Sequence, residues 1–223
     1  MSDARSDPRG DAVTLDIGGT PVTVSHPGKV FFGQRGETKL DLIRYYQAIE
    51  RPLLTALRGR PLLLERYPEG AGGKSFFQKR VPKAAPPWLV TAEVSTPNGT
   101  TSDALVAADL AHIIWAVNLG CIGLHLWPHR ADDPAHADEL RIDLDPQPGT
   151  GFEDIRVVAG LTRDLLDELG MTGYPKTTGN RGLHVYVRLL PHWDSFEVRF
   201  GKRFRLGAAP SGNHCRMWLV GIL

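Results

Sequence analysis

The sequence has little cysteine, no long apolar run and no charge excess of either sign. Its two cysteines, Cys121 and Cys215, lie far apart and match no zinc-ligand spacing. That argues against a disulfide scaffold or a zinc site and fits incidental thiols in a reducing compartment. No stretch reaches the roughly 18 apolar residues of a membrane helix. The mixed polar start, Met1 to Asp11, is unlike a signal peptide, so a cytoplasmic location is expected. Lys and Arg number 26 against 25 Asp and Glu, a net charge of +1, so any surface for nucleic acid has to come from local clustering. Internal repeats and low-complexity tracts are also lacking.

What is present is a chain of 223 residues, 42% hydrophobic and 23% charged, able to bury one sizeable core. After a leader over 1–12 that reads as disordered, Val13 to Ile17 and Pro21 to Ser25 alternate around Gly18-Gly19, the pattern of a β-hairpin. Thr38 and Asp41, followed by Ile43, Tyr46 and Ile49, predict a capped amphipathic helix that Pro52 breaks or restarts. Strands are expected over Leu62 to Tyr67, Phe76 to Arg80 and Leu89 to Val94. A helix is expected over Asp103 to Leu119, with Thr101, Ser102 or Asp103 as N-cap and Gly120 as its stop. Further on come a strand at Cys121 to Trp127, another at Leu140 to Leu144, a helix at Phe152 to Leu169 ended by Gly170, and a strand at Gly182 to Leu189. Interspersed helices and strands without a repeat predict one mixed domain with antiparallel elements over 13–198.

In Leu140-Arg141-Ile142-Asp143-Leu144-Asp145-Pro146, strand geometry places Asp143 and Asp145 on one face and Ile142 and Leu144 on the other. Adjacent like charges repel, and a divalent cation such as Mg²⁺ or Mn²⁺, bridging to substrate phosphates, relieves that repulsion. A strand end whose acids simply meet water is the alternative for an isolated D-x-D pattern. In Lys176-Thr177-Thr178-Gly179-Asn180-Arg181-Gly182-Leu183-His184, hydroxyl, glycine and cation meet at a turn entering a strand. Backbone N–H groups, Thr178 and Arg181 there suit a phosphate, with His184 at the same mouth. A surface turn and a structural histidine are the plainer readings. Phe76-Phe77 beside Gln78, Lys79 and Arg80 joins rings to positive charge, the mixture that stacks on bases. In a strand the two rings would part, one entering the core. Lys29 and Lys39 flank Phe31-Phe32 and a glycine loop, and either suits a phosphate or plain solvent.

Six blocks in order resemble the polymerase domain of bacterial DNA ligase D, a member of the archaeo-eukaryotic primase superfamily. They are Ser25 to Val30, Glu65 to Gly70, Phe76 to Arg80, Leu124-His125, Ile142 to Pro146 and Thr178 to His184. The resemblance implies an α+β primase-polymerase fold, a central and mostly antiparallel sheet flanked by helices. It implies metal ligation and catalysis by Asp143 and Asp145, phosphate contacts from Thr178, Arg181 and His184, and a sugar contact from His125. It also implies that Lys29 and Lys39 grip a recessed 5′-phosphate at a double-stranded DNA end, and that Phe76 and Phe77 stack on template. The implied reaction is metal-dependent attack of a primer 3′-hydroxyl on the α-phosphorus of a nucleoside triphosphate. The setting is gap filling during end joining, near the nucleoid, with Ku and a DNA ligase domain as partners.

The family's third metal carboxylate belongs to a strand about fifty residues after the histidine block. Here Glu197 is the last acid, although all 25 acids of the first 197 residues would predict about three in the final 26 at that density. The basic stretch 199–223 shows neither helical nor strand period, which suggests a truncated or frameshifted gene, an open edge beside the two aspartates and weak or absent synthesis. A non-catalytic DNA-end binding module that keeps Lys29, Lys39, Phe76 and Phe77 is the alternative. A metal-dependent glycosyltransferase is a distant third, because it leaves those four residues unexplained.

Overall fold

A computed structural model of the chain describes residues 5–6, 12–95, 99–194, 198 and 216–219, and its contacts divide the chain into two compact units, Met1–Trp127 and Pro128–Leu223. Among the described residues every strand pairing is antiparallel. With four helices, this is the mixed α+β class with antiparallel sheet that the sequence predicts.

The first unit runs β1 (Arg5–Ser6), β2 (Ala12–Ile17), β3 (Thr20–Ser25), β4 (Val30–Phe32), β5 (Glu37–Thr38), α1 (Lys39–Ala48), α2 (Glu50–Leu57), β6 (Pro61–Arg66), β7 (Phe76–Gln78), β8 (Thr91–Ser95), β9 (Thr101–Val106), α3 (Leu110–Asn118) and β10 (Cys121–Leu126). The expected hairpin is β2–β3, whose Gly18 and Gly19 take positive φ. Within the leader, Arg5 and Ser6 pair with Thr14 and Val13. Thr38 caps α1 through a reciprocal box with Asp41: the Thr38 N–H donates to Asp41 Oδ2 at 2.9 Å, and Asp41 N donates to Thr38 Oγ1 at 3.2 Å. Pro52 sits in the first turn of α2, where its missing N–H costs no helical bond.

β6 is the spine of this unit. It pairs with β10 along one side, and on the other with β9 at Pro61 and Leu62 and with β7 from Leu64 to Arg66. The helix expected over Asp103 to Leu119 is instead a strand followed by a shorter helix. Thr101–Val106 is β9, paired to β8, and the N-cap is Asp109, whose Oδ1 accepts from His112 N at 3.2 Å. Ser102 and Ala104 to Ala107 are buried, so their run of apolar residues carries no period that separates strand from helix. α3 is apolar all round because it is the core element: Leu110 to Val117 are all buried, packed with Ile43, Leu62, Leu105 and Cys121. Cys121 is a free buried thiol, whose pKa burial pushes up to about 12, and Cys215 lies outside the described residues.

The second unit runs β11 (His129–Arg130), β12 (Asp133–Ala137), β13 (Glu139–Asp145), α4 (Phe152–Glu168), β14 (Gly173–Thr177), β15 (Leu183–Arg188) and β16 (Arg216–Leu219). Its sheet has the order β14-β15-β13-β16, and α4 packs against β13, β14 and β15 over Leu140, Ile142, Leu144, Ile155, Leu166, Val185 and Val187. α4 ends as expected, with Gly170 at φ +66°. The edge of β13 that the sequence left open is paired: Trp218 lies opposite Asp143 and Arg216 opposite Asp145. None of the four residues of β16 is acidic, and the rest of the basic stretch lies outside the described residues. Among the described residues no helix is long and apolar enough to cross a membrane.

Candidate active site

β13 alternates as its sequence requires. Leu140, Ile142 and Leu144 are buried toward the core of the second unit, so Arg141, Asp143 and Asp145 share the opposite face. On β15 the same alternation buries Leu183, Val185 and Val187 and brings His184 and Tyr186 to the face of the aspartates. His184 is registered directly opposite Asp143, with Nε2 3.3 Å from Asp143 Oδ1. That distance is within ion-pair range, yet Oδ1 is buried and accepts no hydrogen bond. Burial raises the Asp143 carboxyl above its ordinary range, the Asp145 charge raises it further, and His184 opposes both. Behind His184, Tyr186 lies edge-on with ring centroids 6.0 Å apart, and Arg141 stacks over Tyr186 at 5.8 Å while pairing with Glu139.

The turn from β14 to β15 closes on Thr178. Its N–H and its hydroxyl both donate to Gly182 O at 3.2 Å, and its Oγ1 accepts from Gly182 N at 3.2 Å. The hydroxyl expected to meet a phosphate is thus spent on the turn, and the exposed Arg181 is left as its cation. Gly179 adopts φ +86°, and a Cβ on Gly182 would lie 2.5 Å from Asp145 Oδ1 and 3.0 Å from Leu144 O. The tight approach of turn to strand bounds a cavity of about 300 Å³ lined by Asp145, Pro146, Gln147, Thr178, Asn180, Arg181 and Gly182. Carboxylate, guanidinium and amide groups dominate its wall, a lining suited to a polyanion that arrives with its own cation.

The donor set fits a divalent ion in one respect. A buried carboxylate oxygen without a donor, next to a second carboxylate, is what a hard cation would satisfy. Among the described residues no group of three or more His, Cys, Asp or Glu gathers around a common point, so further ligands would have to be water or phosphate oxygens.

In the first unit, His125 and the aromatic pair come together. Phe77 lies edge-on to His125 with centroids 5.4 Å apart, and Phe76 carries the Arg66 guanidinium 5.1 Å above its ring. Both rings are exposed, 46% for Phe76 and 56% for Phe77, so neither enters the core as strand alternation alone predicts. β7 is an outer strand whose two faces are both open, and with Gln78, Lys79, Arg80 and Thr100 to Ser102 the rings line an open groove of about 580 Å³. Glu65, on β6, is the hub beside them: Oε1 accepts from Tyr67 Oη at 2.8 Å and Ser75 Oγ at 3.0 Å, and Oε2 lies 3.1 Å from His125 Nε2. Glu65 and Gly182 both lie in the sequence blocks, but no local pattern shows that Glu65 reaches His125 or that Gly182 abuts Asp145, because each of these partners is distant in the chain.

The two lysines differ. Lys29 is partly exposed, its Nζ 2.6 Å from Pro68 O and 3.5 Å from Glu69 Oε2. Lys39 is only 5% exposed, and its Nζ donates to Ser25 O at 2.5 Å and Asn118 O at 3.0 Å. Here it ties β3 to the end of α3 and is not on offer to a ligand.

The family of the LigD primase-polymerase domain matches residues 38–206. The chain belongs to that family. The LigD match takes in His125, Asp143, Asp145, Thr178, Arg181 and His184 and leaves Lys29 outside. A multifunctional non-homologous end joining DNA repair protein LigD of Mycobacterium tuberculosis is 32% identical over 176 residues, 75% of this chain and 23% of that protein. A bifunctional non-homologous end joining protein LigD of Bacillus subtilis is 31% identical over 169 residues, 76% of this chain and 27% of that protein. The solved polymerase domain of Mycobacterium tuberculosis ligase D, in complex with DNA, aligns with a TM-score of 0.69 at 31% identity, covering 75% of this chain and 61% of that one. The chain spans about a quarter of the length of these curated LigD relatives. The LigD polymerase domain to which the chain is homologous is a nucleotidyltransferase.

Proposed function

We propose that the chain is a DNA-end nucleotidyl transferase of double-strand break repair, filling short gaps before ligation. The observation that carries this reading is the β13–β15 face: Asp143, with a donorless buried oxygen, beside Asp145 at the wall of a polar cavity that also holds Arg181. A Mg²⁺ or Mn²⁺ ion on Asp143 and Asp145 would supply charge neutralisation for the phosphates of a nucleoside triphosphate. Arg181 binds phosphate oxygens, and Thr178 acts by holding the turn closed through its bonds with Gly182. His184 stands against Asp143 and holds its orientation.

For the first unit the reading assigns His125 to the nucleotide sugar, Phe76 and Phe77 to template stacking and Lys29 to a 5′-phosphate, with Lys39 supporting the fold around it. By analogy with the LigD relatives, Ku and a ligase domain are the proposed partners, and the nucleoid the site of action. The second reading is a DNA-end binding module without synthesis, favoured by β16, the strand beside Asp143 and Asp145, which carries no acidic residue. Fluorescence binding to a 5′-phosphorylated recessed end, set beside Mn²⁺ primer extension, separates the two. Binding with extension supports the transferase, and binding without it supports the module.

A further inference from the structure

We propose that Glu65 is a positioning residue that fixes the tautomer of His125, so that the ring offers Nδ1 as a hydrogen-bond acceptor to a sugar hydroxyl of the nucleotide. The hydroxyl rests on the reading of His125 as a nucleotide contact, and the tautomer lock does not. An ionised carboxylate only accepts. Three donors converge on this one: Tyr67 Oη and Ser75 Oγ on Oε1, and His125 Nε2 on Oε2 at 3.1 Å. Burial raises the Glu65 pKa, but the hydrogen bonds from His125, Tyr67 and Ser75 outweigh it and hold the group below its ordinary range.

Backbone and ring packing enforce the same contact. Gly123 pairs with Glu65 in the β6–β10 ladder, and a Cβ there would lie 2.7 Å from Glu65 Oε2 and 3.1 Å from His125 Nε2. Phe77, paired with Glu65 on the other side, meets the imidazole at 69°. A neutral imidazole with its proton on Nε2 leaves a lone pair on Nδ1. Phosphate oxygens have nothing to donate to that lone pair, whereas a sugar hydroxyl does. A glutamate on β6 thus selects what a histidine on β10 recognises.

The test uses the full chain labelled with ¹⁵N-histidine, with the ring tautomer read from long-range ¹H–¹⁵N spectra above the histidine titration range and the signal assigned by its loss in His125→Asn. The wild type is expected to show Nε2–H. Glu65→Gln keeps the shape and the Tyr67 and Ser75 contacts but turns a donor toward the ring, so Nδ1–H is expected. Gly123→Ala, which displaces Glu65, should give a mixture. An Nδ1–H wild type, or an unchanged tautomer in Glu65→Gln, overturns the lock. In nucleotide binding, the preference of wild type for a ribonucleoside triphosphate over its 2′-deoxy or 3′-deoxy analogue should fall about five- to tenfold in Glu65→Gln. An unchanged preference overturns the hydroxyl contact. A wild type that shows Nε2–H but binds no nucleotide refutes the nucleotide reading and the hydroxyl with it, and supports the lock.

Discussion

Gly182 stands where a single methyl group would come within 2.5 Å of Asp145 Oδ1. The carboxylate and the turn are therefore one unit, and Gly182→Ala must push Asp145 off its position or open the turn. Mn²⁺ affinity, read by calorimetry, is expected to fall between about 10- and 100-fold, as it does when groups that orient metal ligands are lost. Unchanged affinity would detach the turn from the metal site.

Lys29 and Lys39 separate by burial. Lys39→Met removes the ammonium that satisfies Ser25 O and Asn118 O, so thermal unfolding should show a loss of about 2 kcal/mol. Lys29→Ala should leave the melting temperature nearly unchanged while weakening binding to 5′-phosphorylated recessed ends more than to unphosphorylated ones.

Phe77 is exposed, so Phe77→Ala should cost little stability. If the groove it lines receives bases, affinity for a single-stranded template overhang falls by about 1 to 3 kcal/mol in fluorescence anisotropy. Duplex ends without an overhang should bind as before.

Asp109 caps the central helix and lies 2.7 Å from His112 Nδ1, while His112 Nε2 accepts from Val90 N at 3.0 Å. Burial raises the Asp109 carboxyl, but its hydrogen bonds from His112 outweigh this and lower it. A depressed carboxylate stabilises the fold above its unfolded pKa and loses that contribution as pH falls through the folded one. Asp109→Ala should therefore cost about 1 to 2 kcal/mol at neutral pH, and the gap to wild type should close on acidification in denaturant titrations.

The parts of the fold legible in the sequence are those with local signals. The β2–β3 turn, the Thr38 cap, the Gly170 stop and the alternation around Asp143 all act within a few residues. Failures occur where burial is uniform or the partner is remote. Residues 104–107 are apolar on both faces, so a strand passed for the start of a helix. Pro175 concealed β14, and Pro134 concealed β12. At the site, the sequence names Asp143, Asp145 and His184 through spacing. It gives no sign that Lys39 turns inward, that Thr178 spends its hydroxyl on the turn, or that Glu65 gathers three donors.

The most direct test is primer extension on a gapped duplex with a 5′-phosphate, in Mn²⁺, comparing wild type with Asp143→Ala and Asp145→Ala. Wild type should add templated nucleotides, and each substitution should lower the rate by on the order of a hundredfold or more while DNA-end binding persists. DNA-end binding by wild type with no incorporation, or incorporation undiminished in Asp143→Ala, would contradict the assignment.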